Sequence, residues 1–75
     1  MNLNDQNFLR DLGFRIRERR HAQNWTQAAL AEKCELHRTF IGSVERGERN
    51  VSVLNLRLIA KVLRVPLSEL LDGLA

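Results

Sequence analysis

Small or forked polar side chains fill one side of the segment from residue 38 to residue 43. Arg38 carries a planar guanidinium, whose paired N–H groups suit a phosphate or the O6 and N7 edge of guanine. Thr39 and Ser43 carry short hydroxyl groups, and Gly42 lies between them without a side chain. Such a face can approach a base-pair edge closely, whereas solvated helix faces usually carry Glu and Lys. We therefore expect Arg38, Thr39 and Ser43 to read bases in a nucleic-acid groove.

Helices must position this segment, because apolar residues recur at three- and four-residue spacing before and after it. A first helix is predicted from Asp5 to Gln23. Asn24 suits its C-terminal end, since Asn tolerates the left-handed conformation that a helix cap requires. Thr26 is a good N-cap for a second helix of about nine residues.

The remaining elements are predicted in the same way. A turn at residues 35 and 36 leads to a third helix from His37 to Arg46, which Gly47 is placed to end. Ser52 caps a fourth helix that Pro66 ends, and a last short helix begins at residue 66, 67 or 68. No alternating strand pattern occurs. The predicted fold is an all-α, compact five-helix domain with a helix-turn-helix, and residues 1–75 form a single domain.

Arg20 falls on the apolar face of the first helix. A buried cation is costly unless it is paired, so we expect an acidic partner from elsewhere in the chain. Arg15, Arg17 and Arg19 lie on other sides and are predicted to be solvated. A phosphate contact by at least one of them is the open alternative, and Arg17 is the candidate.

Composition supports a nucleic-acid partner. Twelve Lys and Arg residues against nine Asp and Glu give a net charge of +3, and ten of the twelve cations are arginine. Arginine recognises phosphate and guanine better than lysine does. One cysteine excludes an internal disulfide, which fits a cytoplasmic location. No secretory signal is evident, and no apolar run approaches the roughly 20 residues that cross a bilayer, so we expect no membrane partner.

Catalytic and metal chemistry find no support in the sequence. Cys34 is expected in the core, and with His37 it offers two potential ligands, too few for a structural zinc site. An enzyme would need a nucleophile, a base and a pocket, and no such arrangement is evident. We therefore predict no enzymatic activity, no metal and no cofactor.

The register of several motifs identifies a family. Trp25-Thr26-Gln27, Leu30-Ala31 and the segments 36–42 and 44–50 together resemble the Cro and phage-repressor type of helix-turn-helix, over roughly residues 9 to 72. The sequences His-Arg-Thr-Phe-Ile-Gly at 37–42 and Glu-Arg-Gly-Glu-Arg-Asn-Val-Ser at 45–52 are most similar to controller proteins of restriction-modification systems.

This resemblance implies a homodimeric transcription regulator that binds double-stranded operator DNA, as an activator, a repressor or both. It also implies that the third helix enters the major groove with its N-terminal residues toward the bases, so that Arg38 reads guanine. A phage-type repressor, an antitoxin or another small regulator is the alternative. A helical interaction module that does not bind DNA belongs to a different class.

The resemblance also assigns roles to individual residues. It pairs Arg20 with Glu45 in a structural ion pair. Contacts to the DNA backbone or groove are implied for Thr26, Gln27, Phe40, Arg46, Arg49 and Asn50, in addition to Arg17. Phe40 departs from the tyrosine often seen at its position, which removes a hydroxyl that would reach phosphate.

Two further surfaces follow from the resemblance. A domain this small is expected to expose some of its late apolar residues in a dimer interface, for which the candidates are Pro66, Leu67 and Leu70. Glu32 and Glu35 are candidates for contact with RNA polymerase. Glu35 replaces the glycine common in the turn, so either its φ is positive, at a cost of about 1 to 3 kcal/mol, or the turn takes another shape.

Overall fold

The structure is a computed structural model that describes residues 1–74. No strand occurs within this range, and the all-α five-helix prediction is confirmed. The helices are α1 (Leu3–Ala22), α2 (Gln27–Cys34), α3 (Arg38–Glu45), α4 (Val53–Leu63) and α5 (Leu67–Leu71). Within the same range, no helix is both long and apolar enough to cross a membrane.

All five helices turn their apolar faces toward one core. The residues that are completely enclosed come from each helix in turn: Ile16, Leu30, Ile41, Ile59, Leu63 and Leu70. Burying one such aliphatic side chain stabilises the fold by about 1.5 to 3 kcal/mol. The core therefore fixes the orientation of the short helices α2 and α3, which at eight residues each would not be stable alone.

The first four helices end in the same geometry: a residue with positive φ is followed by a residue whose backbone N–H donates to the carbonyl five positions earlier in the chain. The positive-φ residues are Asn24, Glu35, Gly47 and Arg64. The returning hydrogen bonds run from Trp25, Leu36, Glu48 and Val65, over 2.9 to 3.2 Å. Asn24 and Gly47 end their helices as predicted. Trp25, Leu36 and Val65 pack against the core, and this contact offsets the backbone strain at the residue before each of them.

The boundaries of α1 and α4 differ from prediction. α1 begins at Leu3 rather than Asp5, because the side chain of Asn2 accepts a hydrogen bond from the backbone N–H of Asp5 at 2.8 Å. α4 ends at Leu63, where Arg64 takes the left-handed conformation, and not at Pro66. Pro66 is instead the residue before α5, which begins at Leu67, one of the three predicted starting positions.

Two arginines predicted to be solvated hold α5 against α1. The guanidinium of Arg15 is half-buried and donates hydrogen bonds to the backbone carbonyls of Glu69 and Asp72, at the C-terminal end of α5. Arg19 forms a 3.0 Å ion pair with the carboxylate of Glu69. The prediction is therefore wrong for Arg15, which is half-buried because α5 folds back onto this face of α1, whereas Arg19 stays exposed as predicted.

The backbone of α1 packs directly against the backbone of α3 where α1 crosses the C-terminal end of that helix. A side chain at Gly13 would lie 2.4 Å from the carbonyl oxygen of Val44 and 2.5 Å from that of Glu45. A side chain at Gly47 would lie 2.6 Å from Cα of Arg10. Two glycines thus allow α1 to pack directly on the C-terminal end of α3, which sets the position of that helix.

Candidate nucleic-acid interface

A tight turn joins α2 to α3. Glu35 ends α2 with φ 56° and ψ 36°, so the first of the two predicted alternatives for this residue holds. Leu36 follows, half-buried against the core, and its N–H donates to the carbonyl of Ala31 at 2.9 Å. Three residues therefore separate the two helices and present the start of α3 at the surface.

The N-terminal end of α3 carries two exposed side chains that suit base recognition. His37 caps the helix: its Nδ1 accepts a hydrogen bond from the backbone N–H of Thr39 at 3.1 Å. Arg38 and Thr39 follow in the first turn, both exposed. The structure thus places two of the three predicted base-reading residues side by side on an accessible helix end.

Ser43 lies in a different environment from Arg38 and Thr39. It is 8% exposed, and its Oγ donates a 2.7 Å hydrogen bond to the backbone carbonyl of Phe40. The same Oγ accepts a 3.2 Å hydrogen bond from Nε of Arg49. Base reading by Ser43 stays a prediction, but in the free protein its hydroxyl is engaged with its own chain.

Arg49 and Phe40 form a stacked pair. The guanidinium carbon of Arg49 lies 5.4 Å from the centre of the Phe40 ring, within the range of a cation–π contact. Phe40 is half-buried at the edge of the core, while Arg49 is exposed in the loop after α3. The loop arginine is therefore folded back against the side of α3.

A buried ion pair lies behind this surface. Arg20 donates from Nε to Oε2 of Glu45 at 2.7 Å and from Nη2 to Oε1 at 2.9 Å. The side chains are 7% and 2% exposed, and Nη1 of Arg20 also donates to the carbonyl of Trp25 at 2.8 Å. The hydrogen bond with Glu45 raises the pKa of the Arg20 guanidinium, although burial acts to lower it. The acidic partner that Arg20 requires is thus the last residue of α3.

Gln27 joins the same network from the start of α2. Its Nε2 donates to Oε1 of Glu45 at 3.0 Å, which leaves a second N–H of the amide for another acceptor. Thr26 caps α2, with its Oγ1 accepting from the N–H of Ala29 at 3.0 Å. Three donors from two helices therefore converge on one carboxylate, and Gln27 is held in place beside α3.

The other predicted DNA contacts are more loosely held. Arg46 and Glu48 form an ion pair at 3.1 Å, and both side chains are 58% exposed, so the charge of Arg46 is partly neutralised. Asn50 and Arg17 are exposed, as are the candidate polymerase contacts Glu32 and Glu35. These last two lie on α2 and at its C-terminal end.

The late apolar residues divide into two groups. Leu70 is completely enclosed in the core of the single chain, so it offers no surface to a partner. Pro66 is exposed and Leu67 is half-buried. Val53 and Leu54 at the start of α4 are each 66% exposed, a feature that the periodicity of α4 did not single out.

Cys34 is a core residue. Burial raises the pKa of its thiol above the ordinary value of 9.0. Among residues 1–74, no three of the His, Cys, Asp and Glu side chains lie close enough together to hold a metal ion.

Two short helices across a tight turn, the second with an exposed polar N-terminal end and a buried C-terminal end, define a helix-turn-helix domain. The sequence profile of the helix-turn-helix family matches residues 16–70. Control protein C.BamHI of Bacillus amyloliquefaciens is 46% identical over 61 residues, which cover 80% of this chain and 75% of that protein. The chain belongs to this family, the helix-turn-helix control proteins of restriction-modification systems, and is a transcription regulator rather than an enzyme.

Solved structures agree with this assignment. The restriction-modification controller protein C.AhdI from Aeromonas hydrophila superposes with a TM-score of 0.81 at 42% identity, over 83% of this chain and 94% of that one. The controller protein C.Esp1396I, solved as a tetramer in complex with its natural 35 base-pair operator, gives a TM-score of 0.79 at 36% identity, over 89% and 88% of the two chains.

Proposed function

We propose that the chain binds double-stranded operator DNA as a homodimer and controls the promoter of a restriction-modification operon. The observation that carries the proposal is the exposed pair Arg38 and Thr39 at the N-terminal end of α3, the helix that the Arg20–Glu45 ion pair anchors from behind. The operator complex of C.Esp1396I supports it by similarity.

α3 enters the major groove with its first turn toward the bases. Arg38 pairs through two N–H groups with O6 and N7 of a guanine, the commonest specific contact. Thr39 contacts a thymine methyl or a phosphate. Because the core and the α1–α3 contact hold α3 rigidly, these side chains are presented with little reorganisation on binding.

Residues around α3 contact the sugar-phosphate backbone of the DNA. The free N–H of the Gln27 amide and the N-terminal end of α2 face the same phosphate, where backbone N–H groups and the helix dipole favour an anion. Arg46, Arg49 and Asn50 contact the backbone or lean into the minor groove beside it. Arg17 and Thr26 add outer contacts. These groups supply affinity without regard to base sequence.

A dimer reads two half-sites. Recognition helices of such dimers enter the groove about 34 Å apart, one turn of the duplex. The domain measures 31 × 23 × 21 Å, so two copies side by side span that distance. Pro66 and Leu67 provide the apolar contact, and Leu70 supports it from the core. The operator is therefore expected to be a pseudo-palindrome.

Activation requires a contact with RNA polymerase, for which we propose the carboxylates of Glu32 and Glu35. Both are exposed on α2 and at its C-terminal end. Changing both to glutamine should leave operator affinity unchanged while activation of a reporter gene is lost. Retained activation with normal binding would remove these residues from the polymerase contact.

Selection of bound duplexes from a random library, at a fixed salt concentration, tests the proposed function. We expect enrichment of a pseudo-palindrome. Arg38→Ala should weaken binding to it by about 1 to 3 kcal/mol and relax the preference at one base pair of each half-site. Gln27→Ala should weaken cognate and random duplexes alike. Arg57→Ala, which removes an exposed arginine of α4, is the matched control and should change neither. No enrichment by the folded protein would favour an interaction module instead.

A further inference from the structure

Arg49 is the one proposed DNA contact whose guanidinium is held by two side chains of α3. Its Nε–H donates a hydrogen bond to Oγ of Ser43 at 3.2 Å, and its guanidinium carbon lies 5.4 Å from the centre of the Phe40 ring. Arginine carries five N–H donors, of which four belong to the two Nη atoms. Within residues 1–74 those four N–H groups make no hydrogen bond to the protein.

The hydroxyl of Ser43 is oriented to accept a hydrogen bond from Arg49. Its Oγ–H donates to the carbonyl of Phe40 at 2.7 Å, which directs the oxygen lone pairs away from the helix and toward Nε of Arg49. The hydroxyl has one hydrogen to donate, and that hydrogen is used. At 8% exposure, Ser43 has little surface left for contact with a base.

We propose that Ser43 and Phe40 are positioning residues, which fix Arg49 so that its two Nη groups face the DNA beside the groove that α3 enters. This inference rests on the proposed function and changes the role expected for Ser43 from base reading to orientation of a loop residue. The physical benefit is entropic: a loop arginine loses rotamer freedom on binding, and ordering it beforehand removes part of that cost.

The contacts of Ser43 and Phe40 with Arg49, called the tether below, also explain why a phenylalanine is suitable at position 40. A hydroxyl on that ring is not required to receive a cation on its face, because the attraction comes from the ring electrons. The ring therefore acts on DNA through Arg49 and does not need to reach a phosphate itself.

A double-mutant cycle on the enriched duplex tests the inference. Ser43→Ala should weaken binding about three- to tenfold, the range expected for one lost hydrogen bond. Arg49→Lys keeps the positive charge but removes Nε and the planar face. In the Arg49→Lys background, Ser43→Ala should change affinity by less than about twofold, because there is no longer a tether to lose. Phe40→Leu, which keeps an apolar side chain, should behave like Ser43→Ala.

Matched controls separate the possible outcomes. Thr39→Ala should weaken binding equally with arginine or lysine at position 49, since the hydrogen bond and ring contact that hold Arg49 come from Ser43 and Phe40. Ser43→Ala retains the fold because alanine favours a helix over serine. If Ser43 instead reads a base, its loss will persist in full in the Arg49→Lys background and the selected motif will change at one base pair. That result overturns the inference and leaves the proposed function intact, whereas failure of the wild-type chain to bind any duplex removes the proposed function itself.

A measurement on the free protein is independent of DNA. The Arg49 Nε–H should give a resolved NMR resonance that exchanges slowly with water in the wild type and is lost in Ser43→Ala. The Gln27 amide, which donates to Glu45 in a separate network, should keep its shift in both proteins. Free exchange of Arg49 Nε–H in the wild type would contradict the proposed tether.

Discussion

Gly13→Ala should destabilise the domain strongly, although alanine favours a helix over glycine by about 1 kcal/mol. The new Cβ would lie 2.4 Å from the carbonyl oxygen of Val44 and 2.5 Å from that of Glu45. Both neighbours are backbone atoms near the end of α3, so no side chain can rotate away. α1 and α3 must separate by about 1 Å to restore ordinary contact, and overpacking of this kind costs about 3 kcal/mol.

The net effect of Gly13→Ala is therefore a loss of about 2 kcal/mol in the free energy of unfolding, out of roughly 4 to 11 kcal/mol expected for 75 residues. The corresponding decrease in Tm is about 8 to 16 °C for a domain of this size. Thermal unfolding followed by circular dichroism at 222 nm, with urea titration for the free energy, measures both.

Gly42→Ala is the matched control for this prediction. A Cβ there meets Nη1 of Arg46 at 3.2 Å and Oε1 of Gln27 at 3.4 Å, which are the ends of flexible side chains. These can move, so the gain in helix propensity should dominate and Tm should stay the same or rise. A Tm for Gly13→Ala at or above the wild-type value would refute the argument that backbone contact sets the position of α3.

Three further predictions concern the buried ion pair, the interhelical turn and the core thiol. Arg20→Met should lower the free energy of unfolding, measured in urea, by about 3 to 5 kcal/mol, because Glu45 is left buried without its cation. Glu48→Gln, which removes an exposed ion pair, should lower it by at most about 1 kcal/mol. Equal losses would contradict the role of burial. Glu35→Gly should raise the free energy of unfolding by about 0.5 to 1 kcal/mol, because relief of left-handed strain exceeds the added chain entropy of glycine, and a decrease would show that the strain is absent. Cys34 should react with a thiol reagent only as fast as the domain unfolds. Because burial raises the pKa of the thiol in the folded state, the stability contributed by the protonated thiol is fully present below pH 9.0 and is lost as pH rises through the folded-state pKa. In that range the free energy of unfolding of the wild type, measured in urea, should decrease relative to that of Cys34→Ala.

Helix number and the core could be predicted because they depend on periodicity, which is local to each segment. Ile16, Leu30, Ile41 and Ile59 all occur at the spacing of an apolar helix face, and all are enclosed. The requirement that Arg20 find an acidic partner was also predictable, since the cost of a buried cation does not depend on the details of the fold.

Contacts between distant segments could not be predicted in the same way. Ser43 lies on the polar side of α3 by periodicity, yet Arg49 folds back from the loop and covers it. Arg15 lies on the polar side of α1, yet α5 ends against it. Arg64 carries no signature of a left-handed residue. Its conformation depends on Val65 packing into the core, which a single sequence does not show.

The direct contact of α1 with the end of α3 has a consequence for how such a protein acquires new targets. Gly13 anchors the helix at Val44 and Glu45, whereas Arg38 and Thr39 lie a turn and a half away, in solvent. Substitutions at these two positions therefore change no packed contact, and surface changes of this kind usually alter stability by less than about 0.5 kcal/mol. One rigid frame can thus exchange the side chains that we propose read DNA, and diverging lineages can change operators without first evolving extra stability.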